Sequence, residues 1–406
     1  MEDTQAALVE AASQYLYPNY RQPPLILSQG SGSEVWDLSG KRYLDFYAGI
    51  AVSSLGHSHP RLTAVLADQA VRLLHVSNYF YNEPNIRLAR ELCQLTGLDR
   101  ALFCNSGTEA VEAMLKLGRR YHFDRGDRER YRVIAFENSF HGRTMGALAV
   151  TGQPKYRDGF GPLAGVTHVP YGDIDAAIGA MGDDVAAVIV EPIQGEGGVA
   201  LPPPGFLAEL RALCDRSGAL LLVDEVQTGV GRTGRFLACE HAGIQPDVVA
   251  LAKGLGGGVP VGVVLSREAY AQALPPGSHG STFAGNALAS AAALAVLEVL
   301  KEGDLVAQAA KSGEYLARGL AGIATRHSDK IRESRGMGLL QALVLRESLV
   351  PSAVVALLRD AGLLVTVAGS DAVRFSPALN VSTAHIDEAL DIVDRVLIRY
   401  RTGDDG

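Results

Sequence analysis

The sequence is poor in cysteine and in lysine. Its four cysteines (Cys93, Cys104, Cys214 and Cys239) are scattered, with no CxxC pair. They read as buried thiols of a reducing cytosol, so the expected location is cytoplasmic, and no metal is expected. Long apolar runs are also missing. The longest apolar helical stretch, NALASAAALAVLEVL, covers residues 286–300 and falls short of the roughly 20 residues that span a bilayer. It reads as core or subunit interface. The N-terminal MEDTQAALVEAASQYLYPNY has no signal-peptide apolar region. Positive charge is not in excess: the net charge is −8 and the pI about 5.7. No nucleic-acid surface and no membrane partner are expected, although local arginines can still hold small anions. Neither GxxxxGK[ST] nor a strand–GxGxxG–helix arrangement occurs, so a nucleotide-binding loop is poorly supported. Only 7 of the 37 basic residues are lysine.

What is present points to α/β layers. A chain of 406 residues, 47% hydrophobic and 20% charged, suggests two domains or one large unit with a satellite. Short apolar runs bounded by turns read as buried strands: 101–104, 132–136, 185–191, 219–225, 247–252 and 261–266. Helical patterns such as TEAVEAMLKLGRRYH and GFLAELRALCDRSG lie between several of them. Strands alternating with helices imply right-handed crossovers and a mostly parallel sheet. The close spacing near 247–266 allows an antiparallel strand at the sheet edge. After residue 300 the pattern turns to α+β: helices at 304–325 and 351–361, short strands GLLVTVA and AVRFSPAL, and a terminal helix. The tail RTGDDG (401–406) is expected to be unstructured. SEVWDLSGKRYLDFYAG reads as a hairpin around Ser39-Gly40. The expected division is an N-terminal segment (1–50) packing with a small C-terminal domain (296–406), around a large domain (51–295).

Three features carry chemistry. Ser106, Gly107 and Thr108 end a strand and open a helix, where free N–H groups and the helix dipole favour an anion; plain N-capping by Ser106 or Thr108 is the simpler alternative. Asp224 ends a strongly apolar strand, where parallel sheets bind ligands, or it is a solvated strand terminus. Lys253 ends another apolar strand and runs into glycines. A desolvated lysine there can form a Schiff base, whereas a lone one would snorkel. Together they are the parts that hold pyridoxal phosphate (PLP): a lysine for the imine, an acid for the ring nitrogen and a phosphate cradle.

With these residues in view, the chain resembles a class-III (subgroup II) aminotransferase of fold type I, and within that family the acetylornithine aminotransferases. The resemblance runs from about Tyr17 to Tyr400. It rests on GHSHP (56–60), FCNSGTEA (103–110), FHGRT (140–144), EPIQGEGG (191–198), VDEVQTGVGRTG (223–234), LAKGLGGGVP (251–260) and GSHGSTFAGN (277–286). It implies a large domain with a mostly parallel sheet flanked by helices, plus a smaller α+β domain built from both chain ends. Lys253 would be the Schiff-base lysine and proton carrier. Asp224 would pair with the ring nitrogen, Gln227 would lie near the ring's phenolic oxygen, and Ser106, Gly107 and Thr108 would hold phosphate. Phe140 and Val226 would pack on the two ring faces, and Glu191 would help orient the cofactor site.

The same resemblance implies a homodimer with shared active sites. Ser281 and Thr282 belong to its cofactor-binding set, with Thr282 reaching the neighbouring subunit's phosphate. Ala284 and Ala287 stand where the family more often has Gly and Pro. Arg143 would hold the α-carboxylate of an ornithine-like donor, and Arg374 that of 2-oxoglutarate or glutamate. Glu196 would mask Arg374 while an ω-amine donor is bound, and Tyr81 would line the pocket. The implied reaction is ping-pong transamination of the terminal amine of N2-acetylornithine to 2-oxoglutarate, in arginine biosynthesis. Ornithine, succinylornithine, 4-aminobutyrate or an acyl-lysine as donor, an aminomutase of the same fold, and a glycine-loop binding module remain as alternatives.

Overall fold

The computed structural model describes residues 4–400, and the RTGDDG tail lies outside the described residues. An N-terminal hairpin system comes first: β1 (Leu27–Ser31), β2 (Glu34–Asp37) and β3 (Arg42–Asp45). Trp36 faces Arg42 across the turn at Ser39-Gly40, and Asp37 Oδ1 accepts the Ser39 and Lys41 N–H groups. An aspartate at the start of a turn typically satisfies it in this way.

The central sheet follows: β4 (Arg100–Cys104), β5 (Arg132–Phe136), β6 (Val166–Val169), β7 (Val185–Val190), β8 (Leu220–Asp224), β9 (Val248–Leu251) and β10 (Gly262–Ser266). Their order is β4-β10-β9-β8-β7-β5-β6. β7, β8, β9 and β10 are buried along their full lengths. Layers cover both faces of such strands, so they read as continuous apolar runs. β10 runs antiparallel to β9 and to β4. It therefore lies inside the sheet, not at the edge as expected, because β4 pairs along its outer side. The connection from β9 to β10 is only ten residues, too short for a helical crossover. At the opposite edge stands β6, a four-residue strand that the sequence reading did not anticipate.

Two small sheets complete the fold: β11 (Ile331–Met337), β12 (Leu340–Leu345), β13 (Leu363–Leu364), β14 (Thr366–Ala368) and β15 (Ala372–Phe375). The GLLVTVA run is not one strand. Leu363 and Leu364 pair in parallel with Leu44 and Asp45 of β3, whereas Thr366–Ala368 turns back onto β15. The chain switches sheets at Val365. The N-terminal hairpins thus share a sheet with the C-terminal part of the chain.

The apolar helix Ala287–Glu302 is largely buried and packs against the helices Pro60–Arg72 and Glu83–Thr96. Cys104, Cys214 and Cys239 are buried thiols, but Cys93 is only partly buried; all four are free. Among the described residues no helix is long and apolar enough to cross a membrane.

One strained element lies beside the site. Ala48, Gly49, Ile50 and Ala51 have φ of 48°, 63°, 65° and 61°, one turn of left-handed helix. Each non-glycine residue there costs about 1–2 kcal/mol. Asp45 Oδ1 holds the start of the turn by accepting the Tyr47 and Ala48 N–H groups. Just beyond it, the Ser54 hydroxyl donates to Gly254 O at 2.6 Å.

Candidate active site

A cleft of about 410 Å³ opens at the C-terminal ends of the parallel strands, where this architecture binds ligands. Ser106, Gly107, Thr108, Phe140, Arg143, Glu191, Glu196, Asp224, Val226, Gln227 and Lys253 all line it. They come from the loops after β4, β5, β7, β8 and β9.

Lys253 follows β9 with φ of +42°, a left-handed conformation that costs a non-glycine residue energy. Part of its surface stays open to the cleft. Burial pulls its amine below the ordinary lysine range; Glu196 opposes this, Arg374 adds to it, and Asp224 and Glu191 oppose it. A larger neutral fraction makes the amine a better nucleophile. Glu191 is pushed well above the carboxylate range, first by burial and then by the charge of Asp224. Its Oε2 accepts the Phe140 N–H at 3.0 Å.

The helix Gly107–Asp124 begins at the cleft. Ser106 caps it by accepting the Glu109 N–H at 3.3 Å. The capping alternative is therefore realised, and the hydroxyl hydrogen stays available to an anion. Only glycine fits at 107, because a β-carbon there would lie 2.7 Å from Val226 Cγ1. The Thr108 hydroxyl is committed elsewhere. It accepts the N–H groups of Arg143 and Thr144 and bonds Thr144 Oγ1 at 3.0 Å, which leaves the Thr108 N–H for the cradle.

Asp224 is 4% exposed. Its Oδ1 accepts the Val226 N–H at 3.0 Å, and its Oδ2 bonds His141 Nδ1 at 2.8 Å. A carboxylate only accepts, so this bond places a proton on Nδ1. His141 is fully enclosed, and its Nε2 has no partner among the described residues.

Arg374, on β15, lies behind the cleft and reaches it through other side chains. Its Nη1 donates to Glu196 Oε1 at 2.5 Å, to Gln227 Oε1 at 3.0 Å and to Gly195 O at 3.1 Å. Gln227 closes the triangle by donating to Glu196 at 3.1 Å. Burial works against the Glu196 charge, but the Arg374 and Lys253 cations outweigh it and hold the carboxyl below its ordinary range. Arg143 is exposed, and its guanidinium stacks 4.0 Å from the Tyr156 ring centroid and 5.5 Å from that of Phe140. It forms no ion pair among the described residues, so its donors are free for a carboxylate.

The aminotransferase class-III family model matches residues 15–397. The chain belongs to the class-III aminotransferases. An acetylornithine aminotransferase of Myxococcus xanthus is 49% identical over 94% of this chain and 95% of its own length. A succinylornithine transaminase of Salmonella paratyphi A is 43% identical over 97% of both. Among solved structures, an ornithine aminotransferase of Toxoplasma gondii with PLP partially occupying its active site superimposes with a TM-score of 0.94. It is 36% identical over 98% of this chain and 95% of that one.

The residues of this class-III aminotransferase fit PLP. The open N–H groups at 107 and 108 suit its phosphate. Asp224, buried and with one donor on each carboxylate oxygen, keeps acceptor capacity that suits a protonated ring nitrogen. Val226 and Phe140 give the cleft two apolar walls. Three implied residues are not brought into the cleft of their own chain. Tyr81 is 93% exposed next to the N-cap Asn82, and lines a separate groove with Arg61 and Arg87. Thr282 is exposed. Ser281 stays outside the cleft lining, its hydroxyl accepting from Asn105 Nδ2 at 2.8 Å in the loop after β4. Sequence reasoning missed His141, although it stands inside the FHGRT motif. It also missed Tyr156, for which no sequence signal exists.

Proposed function

We propose that this aminotransferase moves the terminal amine of N2-acetylornithine to 2-oxoglutarate, using PLP held on Lys253, and works as a homodimer. The observation that carries the reading is the Glu196–Arg374 pair at 2.5 Å beside the Lys253 amine. A site that takes an ω-amine and then a dicarboxylate needs an arginine that can be covered and uncovered. PLP supplies an electron-withdrawing ring that stabilises negative charge on the donor carbon. Asp224 keeps the ring nitrogen protonated, with His141 fixing its carboxylate. Ser106, Gly107 and Thr108 hold the phosphate, and Val226 and Phe140 hold the ring. Lys253 would hold the cofactor and, as the base in the cleft, would take the proton from the donor carbon. Arg143 takes the donor's α-carboxylate while Glu196 covers Arg374. Arg374, once uncovered, would hold a carboxylate of 2-oxoglutarate, the amine acceptor.

The dimer explains the residues left outside. Tyr79, Phe80, Tyr81 and Phe283 are 92%, 73%, 93% and 62% exposed, an aromatic band that a second copy would cover. Tyr81 and Thr282 would then serve the partner's cleft. The domain limits near residues 50 and 295 belong to the same proposal.

Succinylornithine is the second reading, favoured by the relative of that name at 43% identity. Comparison of kcat/KM for acetylornithine, ornithine, succinylornithine, 4-aminobutyrate and an acyl-lysine tests the choice. Acetylornithine should lead; a higher value for any other donor moves the substrate assignment to that donor.

A further inference from the structure

Arg232 is 2% exposed and sits five residues beyond Gln227, in the GVGRTG loop. Its Nη1 donates to Leu339 O at 3.2 Å and to Pro377 O. The Leu339 N–H donates back to Arg232 O at 3.0 Å. Leu339 immediately precedes β12, and Pro377 follows the end of β15. The rung Gln341–Phe375 lies between these carbonyls and the rung Ala342–Arg374. The contact is tight: a β-carbon on Gly338, whose φ is +55°, would lie 2.7 Å from Arg232 O. One guanidinium therefore staples the loop after Gln227 to the end of the ladder that carries Arg374.

Among the described residues Arg232 forms no ion pair. Burial, and then the positive charge of Arg374, lower its affinity for its proton, to about 9. A buried cation without a counter-ion is unfavourable, and an apolar side chain of similar size would avoid that cost. The two carbonyl bonds are what an arginine provides here.

We propose that Arg232 is a positioning residue for the oxo-acid half-reaction, fixing Arg374 relative to Gln227. The inference rests on the reading of Arg374 as the carboxylate site. Selectivity follows from charge. While the amine donor is bound, Glu196 neutralises Arg374. Once Glu196 moves off, the Arg374 charge is left for the substrate carboxylate.

The test follows the two half-reactions of the holoenzyme separately, by cofactor absorbance, in Arg232→Met and Arg232→Lys. Arg232→Met should lower kcat/KM for glutamate about tenfold or more, through KM, and change that for acetylornithine by less than about twofold. Arg232→Lys should recover part of the loss. Equal losses in both halves would reduce Arg232 to a structural strut, and no loss would remove it altogether. Should Arg232→Met fail to fold, binding of glutarate to Arg232→Lys decides: weaker binding supports the proposal and unchanged binding overturns it. Arg374→Ala separates the two levels. If it does not slow the glutamate half selectively, the Arg374 reading fails; if it does while Arg232 variants do not, only this inference fails.

Discussion

Glu196 covers Arg374, with Oε1 2.5 Å from Nη1, and Gln227 bonds both partners. Arg374, the proposed oxo-acid site, is thus paired within the chain itself. Removing the cover should favour one half-reaction over the other. Glu196→Ala should slow the acetylornithine half by about tenfold or more and leave the glutamate half within about threefold. Stopped-flow absorbance of each half measures this, and a larger loss with glutamate would contradict the masking role.

Arg143 presents a planar fork, stacked on Tyr156 and free of ion pairs among the described residues. Lysine cannot reproduce a bidentate carboxylate contact. Arg143→Lys should therefore raise KM for acetylornithine about tenfold or more, with a smaller change in kcat. Steady-state kinetics read this directly. An unchanged KM would place the donor carboxylate elsewhere.

Glu191 predicts a pH signature. Burial and the Asp224 charge raise its folded value well above the carboxylate range. Above about pH 4.3, the unfolded value, the folded protein binds more protons than the unfolded chain. Stability contributed by protonated Glu191 is full below that pH and is lost as pH rises through the folded value. Glu191→Gln cannot titrate. Its stability relative to the wild type should be lowest in acid and should increase toward neutral pH, as seen by urea denaturation of cofactor-free protein. A difference that stays flat with pH would show that Glu191 is ionised in the fold.

Much of the architecture is legible in the sequence because the central strands are buried on both faces. VAAVIV, LLLV and VVAL are unbroken apolar runs for that reason. β6 escaped because VTHV places Thr167 and His168 at partly exposed positions and offers no such run. The split of residues 363–368 between two sheets is a tertiary event that local pattern cannot register. In the site, Asp224 and Lys253 are legible because charge at the end of an apolar strand is conspicuous. His141 and Arg232 are not, since their meaning lies in partners 83 and 107 or more residues away. The commitment of the Thr108 hydroxyl to the Arg143 loop likewise needs coordinates.

The exposed aromatic band makes an assembly prediction. Phe283→Glu should hinder the proposed dimer and lose turnover together, because in that assembly Thr282 and Tyr81 serve the other copy's cleft. Analytical ultracentrifugation alongside the activity assay checks both. A fully active monomer would show that one chain completes its own site.

The most direct test of the central claim is the absorbance spectrum of the holoenzyme, wild type and Lys253→Ala, before and after acetylornithine is added without oxo acid. The wild type should show the visible band of a lysine-bound cofactor and convert it to the pyridoxamine form, releasing one aldehyde per site. Lys253→Ala should keep its fold, lack that band and lose turnover by about a thousandfold or more. A wild-type band that acetylornithine leaves untouched, or a Lys253→Ala protein that keeps both band and turnover, would contradict the account.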